Sequence, residues 1–369
     1  MYFRRYFFHP WIGLAMVLLL AGFFAAAKAQ NKTPASPALP EMIARANALT
    51  DLSSAVPYEL HARIAVNPGS KDAQRGEITI YRDQARSRTE LQLGDFHQME
   101  VVSEGKRYVS RSRPYPLAGL DVLNSVEDAV QLPEQLLADA KIKNRSRTVA
   151  ASCFDAKRSP VWKTHFCFDS RTGALLEASD YAGRQGRFSG YAAAGEKSFP
   201  TKMELTQPGD PRHIELSDIH VTSKKLDDAS FAAPQGALAF PACDAMSRAW
   251  MATSPDWTIP GTGRGEVYLY AIVEADGSAH DLSVYGGHSK RLQRKVAKLV
   301  RDWNFLPARC GSTEVASEVL LPLVRVGPQW DSTGTSSDSY STSSASSMFD
   351  RPQNLNTDIN NYMNTVTDH

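Results

Sequence analysis

Hydrophobic and polar positions alternate with a period of two along most of residues 58–222. Tyr58–Val66, Arg75–Arg82, Arg86–Leu93, Gln98–Ser103 and Lys106–Ser110 each read as a short strand, separated by turn-rich pieces such as Asn67-Pro68-Gly69. Helical spacing replaces the alternation over Leu117–Ala140. Strands resume at Ser146–Phe154, Trp162–Phe168, Ala174–Ser179, Arg187–Ala192, Thr201–Thr206 and His213–Thr222, with Asp169–Gly173 as a hairpin turn. Ahead of the first strand, Met42, Ile43, Ala46 and Leu49 predict a short helix over Pro40–Thr50. Many short strands at even spacing predict one large antiparallel sheet, curved or half-closed, with covering helices.

A second pattern occupies Gly265–Val326. Val267, Leu269, Ala271 and Val273 alternate with Tyr268, Tyr270 and Ile272, and Asp276-Gly277 then signals a hairpin into a strand over His280–Tyr285. Gly286-Gly287 ends that strand and Ser289 is a candidate helix N-cap. Leu292, Val296, Leu299, Val300 and Trp303 form one apolar helix face. Lys290, Arg291, Arg294, Lys295, Lys298 and Arg301 take the other. That basic face reads first as a solvated surface, and second as a contact for anionic envelope partners. Val315–Val326 returns as a closing strand. The fold class expected for the whole chain is α+β.

The chain has 369 residues, enough for two domains, and a formal net charge of +1. That balance argues against a nucleic-acid binder. Arg4 and Arg5 precede an apolar run from Trp11 to Ala27, and Ala27-Lys28-Ala29 fits a signal cleavage pattern. Residues 1–29 are read as a signal peptide or an uncleaved anchor. Either places the body in the periplasm, with the membrane touched only through an uncleaved N-terminus. Residues 30–40 form a short linker, residues 41–235 the strand-rich region and residues 236–326 the second module. Ala232–Ala242 reads as the connection between them. Residues 327–369 turn Ser-, Asn- and Asp-rich, too polar to offset ordering entropy, and read as disordered.

Four cysteines fit an oxidising compartment. Cys153 and Cys167 flank a hairpin and are expected to pair, leaving Cys243 and Cys310 to pair across the second module. Cys153, His165 and Cys167 also offer three metal ligands, but their spacing matches no common zinc pattern and the disulfide is favoured. The sequence contains no Gly-x-Ser-x-Gly, no P-loop and no His-Glu-x-x-His. His97, His213 and His220 stand singly, and the acidic pairs Glu127-Asp128 and Asp227-Asp228 are explained by solvation. No catalytic residue, cofactor or metal is expected.

The strand–Asp276-Gly277–strand opening, the helix ending in Arg301-Asp302-Trp303-Asn304-Phe305, the following Leu306-Pro307-Ala308 and the closing strand together resemble the TonB C-terminal domain family over residues 264–326. The resemblance implies a periplasmic module that grips an extended segment of an outer-membrane transporter, or another envelope protein, by strand addition. The implied site is the closing strand, at Val319, Leu320, Leu321, Leu323, Val324, Arg325 and Val326, with Pro322 marking an edge. A TonB-type transducer also has a membrane anchor and a long Pro-rich spacer. Here Lys32–Pro40 is short, and the strand-rich region stands in the spacer's place. That region resembles periplasmic lipoprotein carriers of the LolA/LolB type at the Phe168–Leu176 hairpin, at Phe199-Pro200 and at Leu226-Asp227-Asp228-Ala229-Ser230-Phe231. This resemblance implies a groove for acyl chains beneath covering helices, whereas the plainer reading is a filled core. Three functions are therefore expected in competition: strand-addition binding linked to outer-membrane transport, lipid or lipoprotein carriage, and a structural envelope role.

Overall fold

The structure is a computed structural model. It describes residues 38–323 apart from 55, 118–119, 121–122, 124–125, 159–162, 180–184, 208–209, 244–245, 253–266 and 287–289. The expected signal or anchor, nearly all of the 30–40 linker, Ser289, Val324–Val326 and the tail lie outside the described residues. Among the described residues no helix is long and apolar enough to cross a membrane.

Strands β1 (Tyr58–Val66), β2 (Gln74–Asp83), β3 (Arg86–Leu93), β4 (Phe96–Ser103) and β5 (Lys106–Arg111) form one meander. A second contains β6 (Lys141–Arg147), β7 (Ala151–Lys157), β8 (Lys163–Asp169), β9 (Leu175–Ser179) and β10 (Gln185–Ser189). β11 (Ala192–Ala194) and β12 (Lys197–Phe199) make a small hairpin. β13 (Lys202–Gln207), β14 (Asp210–Ser223) and β15 (Leu238–Pro241) complete the region. The result is a 13-stranded antiparallel sheet in the order β15-β5-β4-β3-β2-β1-β14-β13-β10-β9-β8-β7-β6.

Alternation decides which face is buried. On β1, Tyr58, Leu60, Ala62, Ile64 and Val66 point into the core, while the residues between them are more exposed. The β1–β14 register slips between His61 and Arg63, where Asp218 on β14 takes φ +50° and accepts a hydrogen bond from Arg63 Nη1 at 2.9 Å. This bulge bends the strand at the centre of the sheet.

Helix α1 (Leu39–Thr50) forms as expected. Pro40 stands in its first turn, where a missing N–H costs nothing, and Leu39, Met42, Ile43 and Ala46 are buried. The helix expected over Leu117–Ala140 does not form. The described part has 3-10 turns at Val126–Val130 and Glu134–Leu137. Pro133 separates them: it lacks an N–H and disfavours helical geometry at Leu132, so helical spacing there ends as two single turns. The single strand expected over Ser146–Phe154 is instead the end of β6, a turn at residues 148–150 and the start of β7, the turn closed by Thr148 N–H to Ala151 O (2.8 Å) and Ala151 N–H to Thr148 Oγ1 (2.9 Å). The connection expected over Ala232–Ala242 contributes β15, an edge strand on β5, because Phe240 finds an apolar cluster with Val109, Tyr270 and Ile272.

The chain continues through β16 (Met246–Ser247), β17 (Trp250–Met251), β18 (Val267–Val273), β19 (Ala279–Gly286), helix α2 (Lys290–Leu299), β20 (Phe305–Leu306), β21 (Ala308–Cys310), β22 (Thr313–Val315) and β23 (Ser317–Leu323). β18 lies between β19 and β23 in a three-stranded sheet. The Asp276-Gly277 turn forms as read: Gly277 has φ +83°, and Ser278 N–H donates to Asp276 Oδ1 at 2.8 Å. Val267, Leu269, Ala271 and Val273 pack with Val296, Val300, Phe305 and Ala308. The alternate residues Tyr270 and Ile272 are also buried, against Val109 and Phe240 of the large sheet.

Candidate functional site

The apolar face of the large sheet carries the larger buried core. Leu60, Ile64, Ile78, Ile80, Phe166 and Phe168 belong to one continuous cluster. Packed with them are α1 and the described residues between 120 and 137, through Met42, Ile43, Leu123, Val126, Val130 and Leu136. The cover is thus an assembly of short pieces. A 3-10 turn has poorer hydrogen-bond geometry than an α-helix and rarely persists alone, so this layer depends on its contacts.

Among the described residues, polar contacts also hold it: Arg45 Nη2 donates to Arg171 O (3.1 Å) and Lys197 Nζ to Ala48 O (3.0 Å) at α1. Arg82 on β2 donates from Nε (3.1 Å) and from Nη2 to Glu127 Oε1. Asn47 of α1 and Leu132 exchange two bonds, Asn47 Nδ2 to Leu132 O (2.8 Å) and Leu132 N–H to Asn47 Oδ1 (2.9 Å). Gln131 Nε2 donates to Thr50 Oγ1 at 2.9 Å. Glu127 is buried, contrary to its expected solvation, and its Oε2 has no hydrogen-bond partner among the described residues. Burial works against the Arg82 charge, but Glu127 outweighs it and raises the guanidinium pKa. Burial, reinforced by Glu127, pushes the Tyr58 hydroxyl far above its ordinary value. Sequence reasoning missed this pair; the signal was Glu127 one residue from the apolar Val126 and three from Val130, at helical spacing.

The closing strand of the second module is placed as follows. β23 pairs with β18 alone among the described strands, so it is an edge. Val319 and Leu321 turn into the core shared with α2, and Leu320 packs toward Tyr270 and Phe240. Leu323 is described by its backbone pairing with Val267. The side chains of Val319, Leu320 and Leu321 are thus engaged within the chain.

Glu318 on the same strand meets the large sheet. Its carboxylate accepts from Arg107 Nη1 (2.8 Å), Arg111 Nη2 (3.0 Å), Arg111 Nη1 and the Tyr270 hydroxyl (2.8 Å). Arg107 also donates twice to Glu100, both at 2.8 Å, and Arg111 Nε donates to Gln98 Oε1 at 2.7 Å. Tyr115 and Tyr285 stack beside this network with ring centroids 3.9 Å apart.

Both expected disulfides form, Cys153–Cys167 and Cys243–Cys310. Cys153, His165 and Cys167 bring their ligand atoms within 4.8 Å of one another. A metal needs thiolates, and the two sulfurs here are bonded to each other, so the oxidised cluster is a disulfide beside a histidine. The acidic pair Asp227-Asp228 is structural: Asp227 accepts from Ser230 N–H (2.9 Å) and Oγ (2.7 Å), and these bonds lower its pKa. The basic face of α2 is exposed at Lys290, Arg291, Arg294, Lys295 and Lys298.

No protein-family model matches the chain, and no characterised protein matches it by sequence. Solved structures match parts of the chain. A LolA superfamily protein from Nitrosomonas europaea is 10% identical with a TM-score of 0.36, covering 52% of this chain and 96% of that one. An outer-membrane lipoprotein-sorting protein domain from Vibrio parahaemolyticus is 10% identical with a TM-score of 0.33, covering 51% and 95%. The MucA/MucB complex of Pseudomonas aeruginosa is 12% identical with a TM-score of 0.29, covering 77% and 94%. Identities and TM-scores this low carry no function over to this chain. Within residues 264–326 the comparisons add nothing to the TonB resemblance, which rests on the order hairpin, helix, strand.

Proposed function

We propose that the chain is a non-catalytic, extracytoplasmic binding protein that holds an acyl chain, free or attached to a peptide, between the large sheet and its cover. The observation that carries this reading is the cover itself. A broad apolar face is closed by a helix and, among the described residues, two single turns, held by apolar contacts together with the Arg82–Glu127 pair and bonds from Asn47, Gln131, Arg45 and Lys197. A cover of separate short elements can be displaced piecewise, which a single long helix cannot. Displacing the 120–137 segment exposes Leu, Ile, Val and Phe side chains and frees Glu127, whose second oxygen gives up no hydrogen bond in leaving. Two disulfides agree with an oxidising compartment.

The test is native mass spectrometry of protein purified from cells, followed by titration with a fluorescent fatty acid. Bound acyl species, and weaker retention when cover residues Leu123 and Val130 are changed to Asp, support the reading. An empty protein that also fails to take up the probe overturns it.

Strand addition at β23 stands as the second reading, favoured by its place at a sheet edge. Extended peptides should slow amide exchange along β23 in a concentration-dependent way. Unchanged exchange at saturating peptide argues against the edge.

A further inference from the structure

The face of the large sheet opposite the covered one carries a separate chemical cluster. On β7 and β8, Phe154, Ala156, Phe166 and Phe168 join the large core, so Cys153, Asp155, His165 and Cys167 share the other side, where Cys167 is itself buried at 8% exposure. The register sets Cys153 opposite Cys167, with 4.1 Å between Cα atoms, and Asp155 opposite His165. The Asp155 carboxylate can only accept when ionised, so His165 Nδ1–H donates to it, at 2.8 Å. This leaves His165 Nε2 facing Cys167 Sγ at 3.0 Å. Cys167 also lines a 410 Å³ pocket with Leu176, Glu177, Arg187, Phe188 and Glu204. The arrangement joins a sulfur, a base aimed at it, an acid orienting that base, and a cavity leading to the sulfur.

We propose that Cys153–Cys167 is an exchange-active disulfide, with Cys167 as the sulfur that meets a dithiol partner in the pocket. His165 is its proton donor and acceptor, and Asp155 is a positioning residue. A partner thiol passes its proton to His165 Nε2 and, as the thiolate, attacks Cys167 Sγ; its second thiol ionises to solvent. The Cys153–Cys167 bond breaks, and its electron pair leaves on Cys153 Sγ, which takes a proton from solvent. The partner is now bonded to Cys167 as a mixed disulfide. Its second thiolate attacks its own bonded sulfur, and Cys167 leaves as a thiolate paired with the His165 imidazolium. The partner dithiol has become a disulfide, and two electrons have passed to the cysteine pair. In reverse, the Cys167 thiolate reduces a partner disulfide. A thiolate beside an imidazolium is the form that performs such exchange. Among the described residues the charged groups facing the cluster are Asp155, Lys143 opposite it on β6, Arg145 at 3.8 Å from the Asp155 carboxylate, and Glu177, Arg187 and Glu204 on the pocket side.

The experiment uses the full oxidised chain and dithiothreitol as the probe. Reduction is sampled between pH 5 and 8, quenched with a maleimide, and both disulfides are read separately by peptide mass spectrometry. Cys153–Cys167 should open about tenfold faster than Cys243–Cys310, and His165→Gln should slow its opening about tenfold and flatten the pH profile. Asp155→Asn should fall between the two. In Cys153→Ser the remaining Cys167 thiol should alkylate with a midpoint below the roughly 8.5 of a free thiol, and lose that advantage when His165→Gln is added. Equal opening of the two disulfides, or an unchanged rate in His165→Gln, overturns the proposal. Should His165→Gln fail to fold, the alkylation profile of Cys153→Ser decides: an ordinary midpoint also overturns it.

Discussion

Replacing Glu318 by Gln tests whether the second module is locked onto the large sheet by charge. Burial alone would raise the Glu318 pKa. Hydrogen bonds from Arg111, the charges of Arg107 and Arg111 and the Tyr270 hydroxyl outweigh it and bring the carboxyl down from 4.5 to about 2. A drop of that size corresponds to about 3 kcal/mol of stabilisation of the ionised form at about 1.4 kcal/mol per pH unit. The same figure is reached from the other side. Glu318→Gln leaves Arg111, whose side chain is 5% exposed, with Gln98 and a neutral amide, and breaking a buried pair costs about 3–5 kcal/mol. The sign follows from the depressed folded pKa. The contribution is complete above the unfolded value of 4.5 and is lost as pH falls through about 2. Urea unfolding of the wild type and Glu318→Gln should therefore differ by about 3 kcal/mol at pH 7. The gap should narrow below pH 4.5 and close near pH 2. Equal midpoints at pH 7, or a gap that persists unchanged in acid, would refute the assignment.

Other perturbations probe other parts. Arg82→Met should cost about 3–5 kcal/mol by stranding the Glu127 carboxylate, and adding Glu127→Leu should restore most of it, as chemical denaturation of the double variant will show. Removing Cys243–Cys310 with a pair of alanines should cost about 4 kcal/mol, given the 67-residue separation it closes, read as a shift in urea midpoint. Gly277→Ala should cost about 1–2 kcal/mol or more, because its Cβ would lie 2.6 Å from the Phe305 carbonyl oxygen at φ +83°; the melting temperature reports it.

Much of this architecture is written in local pattern. The alternation of Tyr58, Leu60, Ala62, Ile64 and Val66 marks both the strand and its buried face, because the pleat has the same period of two. Asp276-Gly277 and Asp169–Gly173 fix hairpins through turn chemistry that needs no partner at a distance. The cysteine pairs follow from the hairpin and from elimination. Local pattern failed where distant contacts decide. The spacing over Leu117–Ala140 is helical, yet the segment lies as separate turns because Pro133 divides it and the sheet below offers a continuous apolar face. Leu238–Pro241 looks like a connection until β5 supplies its hydrogen bonds and Tyr270 and Ile272 supply an apolar neighbour for Phe240.

The candidate sites follow the same division. Glu127 lies one residue from Val126 and three from Val130, at helical spacing, and Glu318 on an otherwise apolar strand; each is a visible anomaly, since an isolated buried carboxylate is too costly to occur without a partner. The sequence therefore announces that a cation must exist, but not which one. Arg82 is 45 residues from Glu127, and Arg107 and Arg111 are 211 and 207 residues from Glu318. At His165 the partners are nearer, and strand register alone brings them together: Asp155 and Cys153 stand opposite His165 and Cys167 because β7 and β8 pair without a slip. A one-residue slip there would send one strand's side chains to the core face and leave the histidine without its acid or its sulfur. The cluster thus depends on the same hydrogen-bond ladder that builds the apolar face behind it. A substitution that shifts this hairpin should disturb both surfaces together, whereas His165→Gln should leave the covered face intact.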